Sequence, residues 1–548
     1  MLNYHLKTIY GEKLDKKSPL SEYPRPLFKR DSYLSLNGVW SYAIKKKDET
    51  FDKAIGEILV PFCVESSLSG VRYDLKEDEV IWYYKNFRLP KDFNKGKVIL
   101  HLDGVMQKCE VYLNEVLVGK NNEGFLPFKI DISTYLKDRN ALKIKVENKP
   151  DYNYGVGKEG YKRGGMWYTK TTGIYKSIWL ESYDEKAITS LKLKTDISGR
   201  VYGVISSLDN HFELEIYYQN KLIQKEAASN NFDFEIKNPK LWDIDHPNLY
   251  TLIIKGSKDQ IETYFGFRKF EIIENKFYLN NKEIFINGVL NQGYFSDGIY
   301  TPGSYEAFKD DILKMKKLGF NALRMHIKVE NEMFYYYADK LGMLILQDFP
   351  NTGKYSFLVD SILPVIGFKK LKKKKVSEER YHNFIDNNQK LIELLSGHPS
   401  VVYYTIFNEG WGEFKTQEMY HLFKDKYPEY VFDSASGWFD QKESDVLSIH
   451  NYFFKLKVPK SIRPVILSEY GGYNYRVSGH IFNDNKDYGY HKVQSKEQLK
   501  QDLDELFLKI EILRQDGLAG AIYTQLSDVE DETNGLLTYD RKIQKYER

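Results

Sequence analysis

Two cysteines, Cys63 and Cys109, are all that 548 residues contain, so neither a disulfide framework nor a cysteine-based metal site organises the chain. An excess of charge of one sign is also missing. Lys and Arg number 80 against 77 Asp and Glu, a net +3, and there is no basic stripe to hold a polyanion. The one dense basic run, Lys369 to Lys375 (KKLKKKK), reads as a solvated loop or helix face. No apolar run approaches the ~20 residues of a membrane span, and the N-terminal MLNYHLKTIYGEKLDKK has no apolar core of signal-peptide length. These absences lead us to expect a cytoplasmic protein with no nucleic-acid partner, no membrane partner, no cofactor and no metal.

What is present is length and aromatic content. The chain is longer than one core usually organises, so two to four domains are expected. Aromatic residues make up 15%, with 44 Tyr, which suits β-sandwich cores and sugar-stacking surfaces equally. From Leu34 to about Tyr183 short alternating strands are split by turn residues, with Asn37-Gly38 and Asp103-Gly104 reading as hairpin turns. That is a β-sandwich over 1–183. A second, shorter β region over 184–274 has about six strands and fits an immunoglobulin-like sandwich.

The pattern changes over 275–548. Strand-like runs beginning at Ile284, Asn321, Met343, Val401, Tyr430, Val446, Pro464 and Gly520 alternate with helical segments. Eight strands close a TIM (β/α)8 barrel, whose chemistry gathers at the C-terminal ends of its strands. Two of those ends carry glutamates. VVYYTIFNEG (Val401 to Gly410) is a doubly buried strand closing on Glu409, and RPVILSEYGG (Arg463 to Gly472) is another closing on Glu469. Two carboxylates facing each other across a barrel mouth are what an acid and a nucleophile need to flank one glycosidic bond. The segment from Asn351 to Lys375 is a long insertion after the third strand, and only Asp528 to Arg548 follow the eighth, too few for a full final loop and helix.

The order and spacing of LNGVW, VPFCVESSLSGV, GFLPF, MWYTKTTGIYKSIWLES, KLWDIDHPNLY, FGFRKFE, FNALRMH, FNEG and SEYGG resemble glycoside hydrolase family 2, the β-galactosidases, β-glucuronidases and β-mannosidases. The resemblance covers nearly the whole chain. It implies a jelly-roll sugar-binding domain, an immunoglobulin-like domain and a TIM barrel, with retaining hydrolysis at a non-reducing end. It also implies Glu409 as acid/base, Glu469 as nucleophile, Asn408 as the contact to the sugar 2-hydroxyl, Arg324 beneath the nucleophile and Tyr452 hydrogen-bonded to it. Chemically, Glu469 must be ionised to attack, which a neighbouring arginine favours, and Glu409 must carry a proton into the first step.

Departures from the family pattern bear on the sugar. The loop after the first strand reads GVLNQGYFSDG, with Asn291 and Gln292 where a histidine beside an acid is typical. In place of the Asn-x-Lys of glucuronidases the loop after strand eight offers Asp528, Glu530, Asp531 and Glu532, a poor setting for a uronate and a candidate cation site. Tyr523 and Gln525 end strand eight where a stacking Trp is often found, so Trp438 or Trp411 is the expected platform. His326 and His450 at strand ends and Asp348 at the end of MLILQD read equally as sugar contacts and as structural groups, whereas His101 reads as structural. The partner is a glycoside or oligosaccharide, and a homo-oligomer fits the family. β-Galactosidase is the first expectation by family frequency, then β-glucuronidase, then a mannosidase- or arabinosidase-like activity. The alternative from another class is a carbohydrate-binding protein without turnover.

Overall fold

The computed structural model describes residues 5–147, 149–159, 163–356, 360, 363 and 375–548. Most of the insertion at 351–375, including the basic residues Lys369 to Lys374, lies outside the described residues. The first sandwich pairs a six-stranded sheet with a four-stranded one. Its strands bury every second residue, as in Asn140–Glu147, and Trp40, Ile81, Tyr83, Leu100 and Ile144 fill the space between the sheets. The second sandwich is built from three strands facing four, around Val201, Leu214, Ile216, Leu252 and Phe265.

Turn positions differ from the expectation for a physical reason. Asn37-Gly38 carries the chain from Leu34–Ser35 in one sheet to Gly38–Lys46 in the other, so it is a crossover and not a hairpin. Asp103-Gly104 likewise leads into Val105–Met106, which pairs with Gly173–Ile174. Two-residue hairpins in which both residues take positive φ are at Asn114-Glu115, Gln219-Asn220 and Asn280-Asn281, with the backbone twist that suits tight hairpins.

Phe270–Ile273, which falls inside the 184–274 region read as the second sandwich, pairs instead with Lys276–Leu279, which pairs in turn with Lys282–Ile284. This three-stranded meander seals the N-terminal end of the barrel. Phe270, Phe277 and Leu279 join Trp242 in one apolar cluster with the barrel residues Ile286, Leu344, Val402, Ile466 and Ile522.

The barrel strands are β1 (Ile286–Asn291), β2 (Ala322–Met325), β3 (Leu344–Asp348), β4 (Val401–Thr405), β5 (Val431–Asp433), β6 (Leu447–Asn451), β7 (Val465–Gly471) and β8 (Leu518–Thr524). Their ladder runs β5-β4-β3-β2-β1-β8-β7-β6, with every neighbouring pair parallel. Where β5 meets β6 the seam is stitched by Asp445, whose N–H donates to Phe432 O at 3.0 Å and whose Oδ2 accepts from Phe432 N at 2.8 Å. The outer helices are α1 (Glu306–Lys317), α2 (Glu332–Leu341), α3 (Glu378–Leu395), α4 (Thr416–Lys426) and α5 (Lys496–Gln515). Side-chain caps begin three of them, Asn331 on Met333 N, Ser377 on Arg380 N and Ser495 on Gln498 N. Helix α5 shows the helical period in its burial, with Leu499, Leu503, Leu506, Ile510 and Leu513 turned inward.

Among the described residues no helix separates β5 from β6 or β6 from β7. A groove of about 850 Å³ lies between that bare side and α5, with Phe453 and Phe454 exposed along it. The tail after β8 folds back on the barrel. Lys545 Nζ is buried on Asp528 Oδ1 at 2.6 Å, and Tyr546 OH donates to Asp504 Oδ1 at 2.7 Å.

Candidate active site

Arg324, midway along β2, is the hub of the C-terminal mouth. Its side chain is fully buried, so each of its donors must find an acceptor. Nε reaches both oxygens of Asp348 at the end of β3 (3.0 and 3.1 Å). Nη1 donates to Ser468 O and to Glu469 Oε1 on β7 (3.0 and 3.2 Å), and Nη2 donates to Asn408 Oδ1 (2.7 Å) beyond β4. One guanidinium thus ties four strand ends together. Asp348 also lies 2.9 Å from His326 Nδ1. Burial alone would raise the Asp348 carboxyl, but Arg324 and His326 hold it down to about 2. Both its oxygens are taken, which makes Asp348 the anchor of the arginine and not a group open to sugar.

Glu469 sits within β7 itself, buried. Its second oxygen accepts from Tyr452 OH at 2.5 Å, one residue past β6. The tyrosine is fixed in turn by Tyr490 from the loop before α5, stacked on it at 3.8 Å. Burial would raise this carboxyl too, but the charges of His450, Arg324, His326 and Lys158 bring it down to about 2. Glu469 is therefore an ionised carboxylate in a nearly dry setting.

Glu409 is placed by strained backbone. It has φ +52, a conformation that costs a non-glycine residue roughly 1–3 kcal/mol and persists only where the surroundings enforce it. The enforcement comes from β5: Glu409 N donates to Ser436 O and Ser436 N to Phe407 O, both at 2.8 Å, so parallel pairing continues past the strand ends. The side chain keeps 18% exposure against 7% for Glu469, which leaves this carboxyl reachable from the mouth.

His450, at the end of β6, connects the two glutamates. Its Nδ1 lies 2.8 Å from Glu409 Oε1 and 3.5 Å from Glu469 Oε2, and its Nε2 lies 3.2 Å from Ser436 Oγ. Taking one ligand atom from each of Glu409, His450 and Glu469, all lie within 4.8 Å of one another. Among the described residues this is the one group of His and carboxylate side chains close enough to hold a metal ion. Arg324 and Tyr452 already occupy both Glu469 oxygens, so a cation bound here would compete with hydrogen bonds already made. The bridging position of His450 was only partly legible; HNY after an apolar strand marks a strand end, not what the ring touches.

The remaining candidates divide. Trp438 stands half-buried, its ring edge-on to His450 at 5.7 Å, suited to a sugar face. Trp411 packs instead between domains, with Trp167 at 4.7 Å and Tyr355 at 5.7 Å, and its Nε1 donates to Gly353 O. Asn291 turns back on its own loop, where Oδ1 accepts from Gly293 N at 2.9 Å. His101 is stacked on Trp179 in the first sandwich, 2.9 Å from Glu181. The acidic loop after β8 is spoken for. Arg163 of the first sandwich bonds Glu530 (2.7 Å) and Asp531 (2.5 Å), Tyr168 OH and Gln525 Nε2 donate to Glu532 (2.7 and 2.9 Å), and Asp528 holds Lys545.

The profile of the family 2 glycosyl hydrolase TIM barrel domain matches residues 270–544, about half of the chain. The chain belongs to glycosyl hydrolases family 2. The family's galactose-binding domain-like profile matches residues 65–170, and its middle domain 177–268. Among curated family 2 relatives, a β-galactosidase of Priestia megaterium is 24% identical over 72% of this chain and 40% of its own length. A β-glucuronidase of Streptococcus agalactiae is 23% identical over 71% of this chain and 68% of its own. The chain spans only 35% to 40% of the length of the first curated relatives it matches. Its fold is that of a β-D-glucuronidase from Dictyoglomus thermophilum, with a TM-score of 0.76 at 19% identity, covering 95% of this chain and 96% of that one. No helix among the described residues is long and apolar enough to cross a membrane.

Proposed function

We propose that this family 2 chain is a retaining exo-β-glycosidase in which Glu469 is the nucleophile and Glu409 the acid/base. The observation that carries the reading is the separation of the two glutamates. Carboxylate oxygens within 4.8 Å of each other suit the ~5–5.5 Å spacing of a double displacement and leave no room for the water of an inverting enzyme. Glu409 protonates the departing oxygen while Glu469, ionised and steadied by Arg324 and Tyr452, attacks the anomeric carbon. Glu409 then removes a proton from water, which releases the sugar with its configuration kept. Arg324 holds Asn408 by its carbonyl oxygen, which leaves the amide N–H groups as donors for the neighbouring sugar hydroxyl.

Segments from the first sandwich, the loop before α5 and the loop after β8 all crowd this mouth, which suits a terminal sugar. The names of the relatives divide between galactosides and glucuronides. The deciding experiment is hydrolysis of a p-nitrophenyl panel of β-galactoside, β-glucuronide, β-mannoside, β-glucoside and α-L-arabinoside by the wild type, Glu409→Gln and Glu469→Gln, with the first-formed anomer followed by proton NMR. The expected result is one favoured sugar, released with retention and lost by ~10⁴-fold in Glu469→Gln. Equal turnover in that variant, or an inverted first product, would sink the assignment.

A further inference from the structure

The first sandwich brings two pieces of chain, residues 155–159 and 163–169, to the barrel mouth. Val156 N donates to Asn351 O at 2.9 Å. Gly157 has φ +58 and lies so close to the barrel that an added Cβ would meet Tyr300 OH at 2.7 Å. The next residue is Lys158. Its carbonyl accepts from Tyr168 N at 3.2 Å, and its ammonium stands 5.8 Å from the centre of the Tyr168 ring. Tyr168 OH, at the far end of that ring, is bonded to Glu532 of the loop after β8. The charge of Lys158 is felt at three groups of the mouth, Glu469, His326 and Glu532.

Every acid of the loop after β8 that could have claimed this ammonium is held elsewhere, by Arg163, by Tyr168 and Gln525, or by Lys545. Among the described residues Lys158 forms no ion pair. A half-buried ammonium without an ion pair is left on the piece of chain that leans on the residues just past β2, where an added Gly157 Cβ would lie 3.6 Å from Ile327 O. Two of the four negative charges on the loop that looked hostile to a uronate in the sequence are balanced in the fold, by Arg163 and Lys545, and Lys158 adds a further cation from the first sandwich. A lysine in this setting is a point charge with three donors, fit for an anionic oxygen group.

Resting on the glycosidase reading, we propose that Lys158 is the specificity-determining residue that reads a carboxylate on the terminal sugar, so that β-linked uronic acids are preferred to their neutral counterparts. The anion-reading group then sits on the first sandwich, not on a barrel loop.

The test uses the full chain and two readouts. In the first, kcat/KM is measured for matched pairs, p-nitrophenyl β-glucuronide with β-glucoside and β-galacturonide with β-galactoside, in the wild type, Lys158→Met and Lys158→Arg. A charge-assisted hydrogen bond predicts a uronide preference that falls about 10- to 100-fold in Lys158→Met and is largely restored in Lys158→Arg. In the second, free glucuronate and galacturonate are titrated calorimetrically into Glu469→Gln with and without Lys158→Met, thermal melts confirming that each variant is folded. Binding of one uronate that weakens about 10-fold or more with the lysine gone supports the proposal even if no glycoside is hydrolysed, in which case the glycosidase reading alone fails. Hydrolysis of neutral glycosides with no uronate bound, or a uronide preference that Lys158→Met leaves in place, overturns it.

Discussion

The two ends of the barrel are built from opposite materials. At the N-terminal floor Trp242, Phe270, Phe277 and Leu279 plug the strands with apolar side chains. At the C-terminal mouth, an equally buried layer consists of Arg324, Asp348, His326, Asn408, His450 and Glu469. The floor gains from every contact through burial, whereas the mouth holds groups that burial penalises and only mutual pairing keeps in place. The comparison separates residues that make the fold stable from residues that the fold must hold in place.

Arg324→Met should break this contrast most severely. It leaves Asp348 and Glu469 buried without their cation, so an unfolding free energy lower by about 3–5 kcal/mol is expected together with loss of turnover, read by urea melts and kcat. Phe277→Ala sharpens the contrast from the other side. A cavity in the floor should cost about 3–5 kcal/mol in the same melts, with kcat unchanged; a fall in kcat matching the loss of stability would show that the two ends are not independent. Tyr452→Phe removes a single donor to Glu469 and should lower kcat/KM about 10²-fold without a measurable change in melting.

The smallest effect is on acid stability. The Glu469 and Asp348 carboxyls titrate at about 2 in the folded chain, below their ordinary 4.5 and 3.8. Their ionised forms therefore favour the fold, fully so above the ordinary values, and this contribution is lost as pH falls from about 4.5 towards 2. Melting temperature followed across that window should drop in the wild type and drop less in Glu469→Gln.

The barrel could be read from sequence because its strands are buried on both faces. Runs such as Val401 to Phe407 have no wet side to dilute the signal, and a glutamate closing such a run stands out. Turns were harder. Asn37-Gly38 has the chemistry of a hairpin, but which sheet the next strand joins is decided by packing across the sandwich. Phe270–Ile273 looked like part of the second sandwich because a strand's own pattern does not say which domain it faces. The acidic loop after β8 was misleading for the same reason. Glu530 and Asp531 repel an anion only if they are free, and their partner Arg163 is 367 residues away from the first and 368 from the second, at a separation that no local pattern records. Lys158 escaped notice because nothing within its own piece of chain marks it as part of the mouth.

That separation also has a meaning in time. A ribosome adding ~5–20 residues per second needs about 20–70 s to travel from Arg163 to Glu530. The first sandwich can be complete long before the loop after β8 exists, and throughout that interval Arg163, Tyr168 and Lys158 have no barrel mouth to sit on. The pieces that finish the site are among the earliest parts made and among the last to be given their partners, so a nascent chain halted before β8 would carry both sandwiches with these pieces still waiting for their acids.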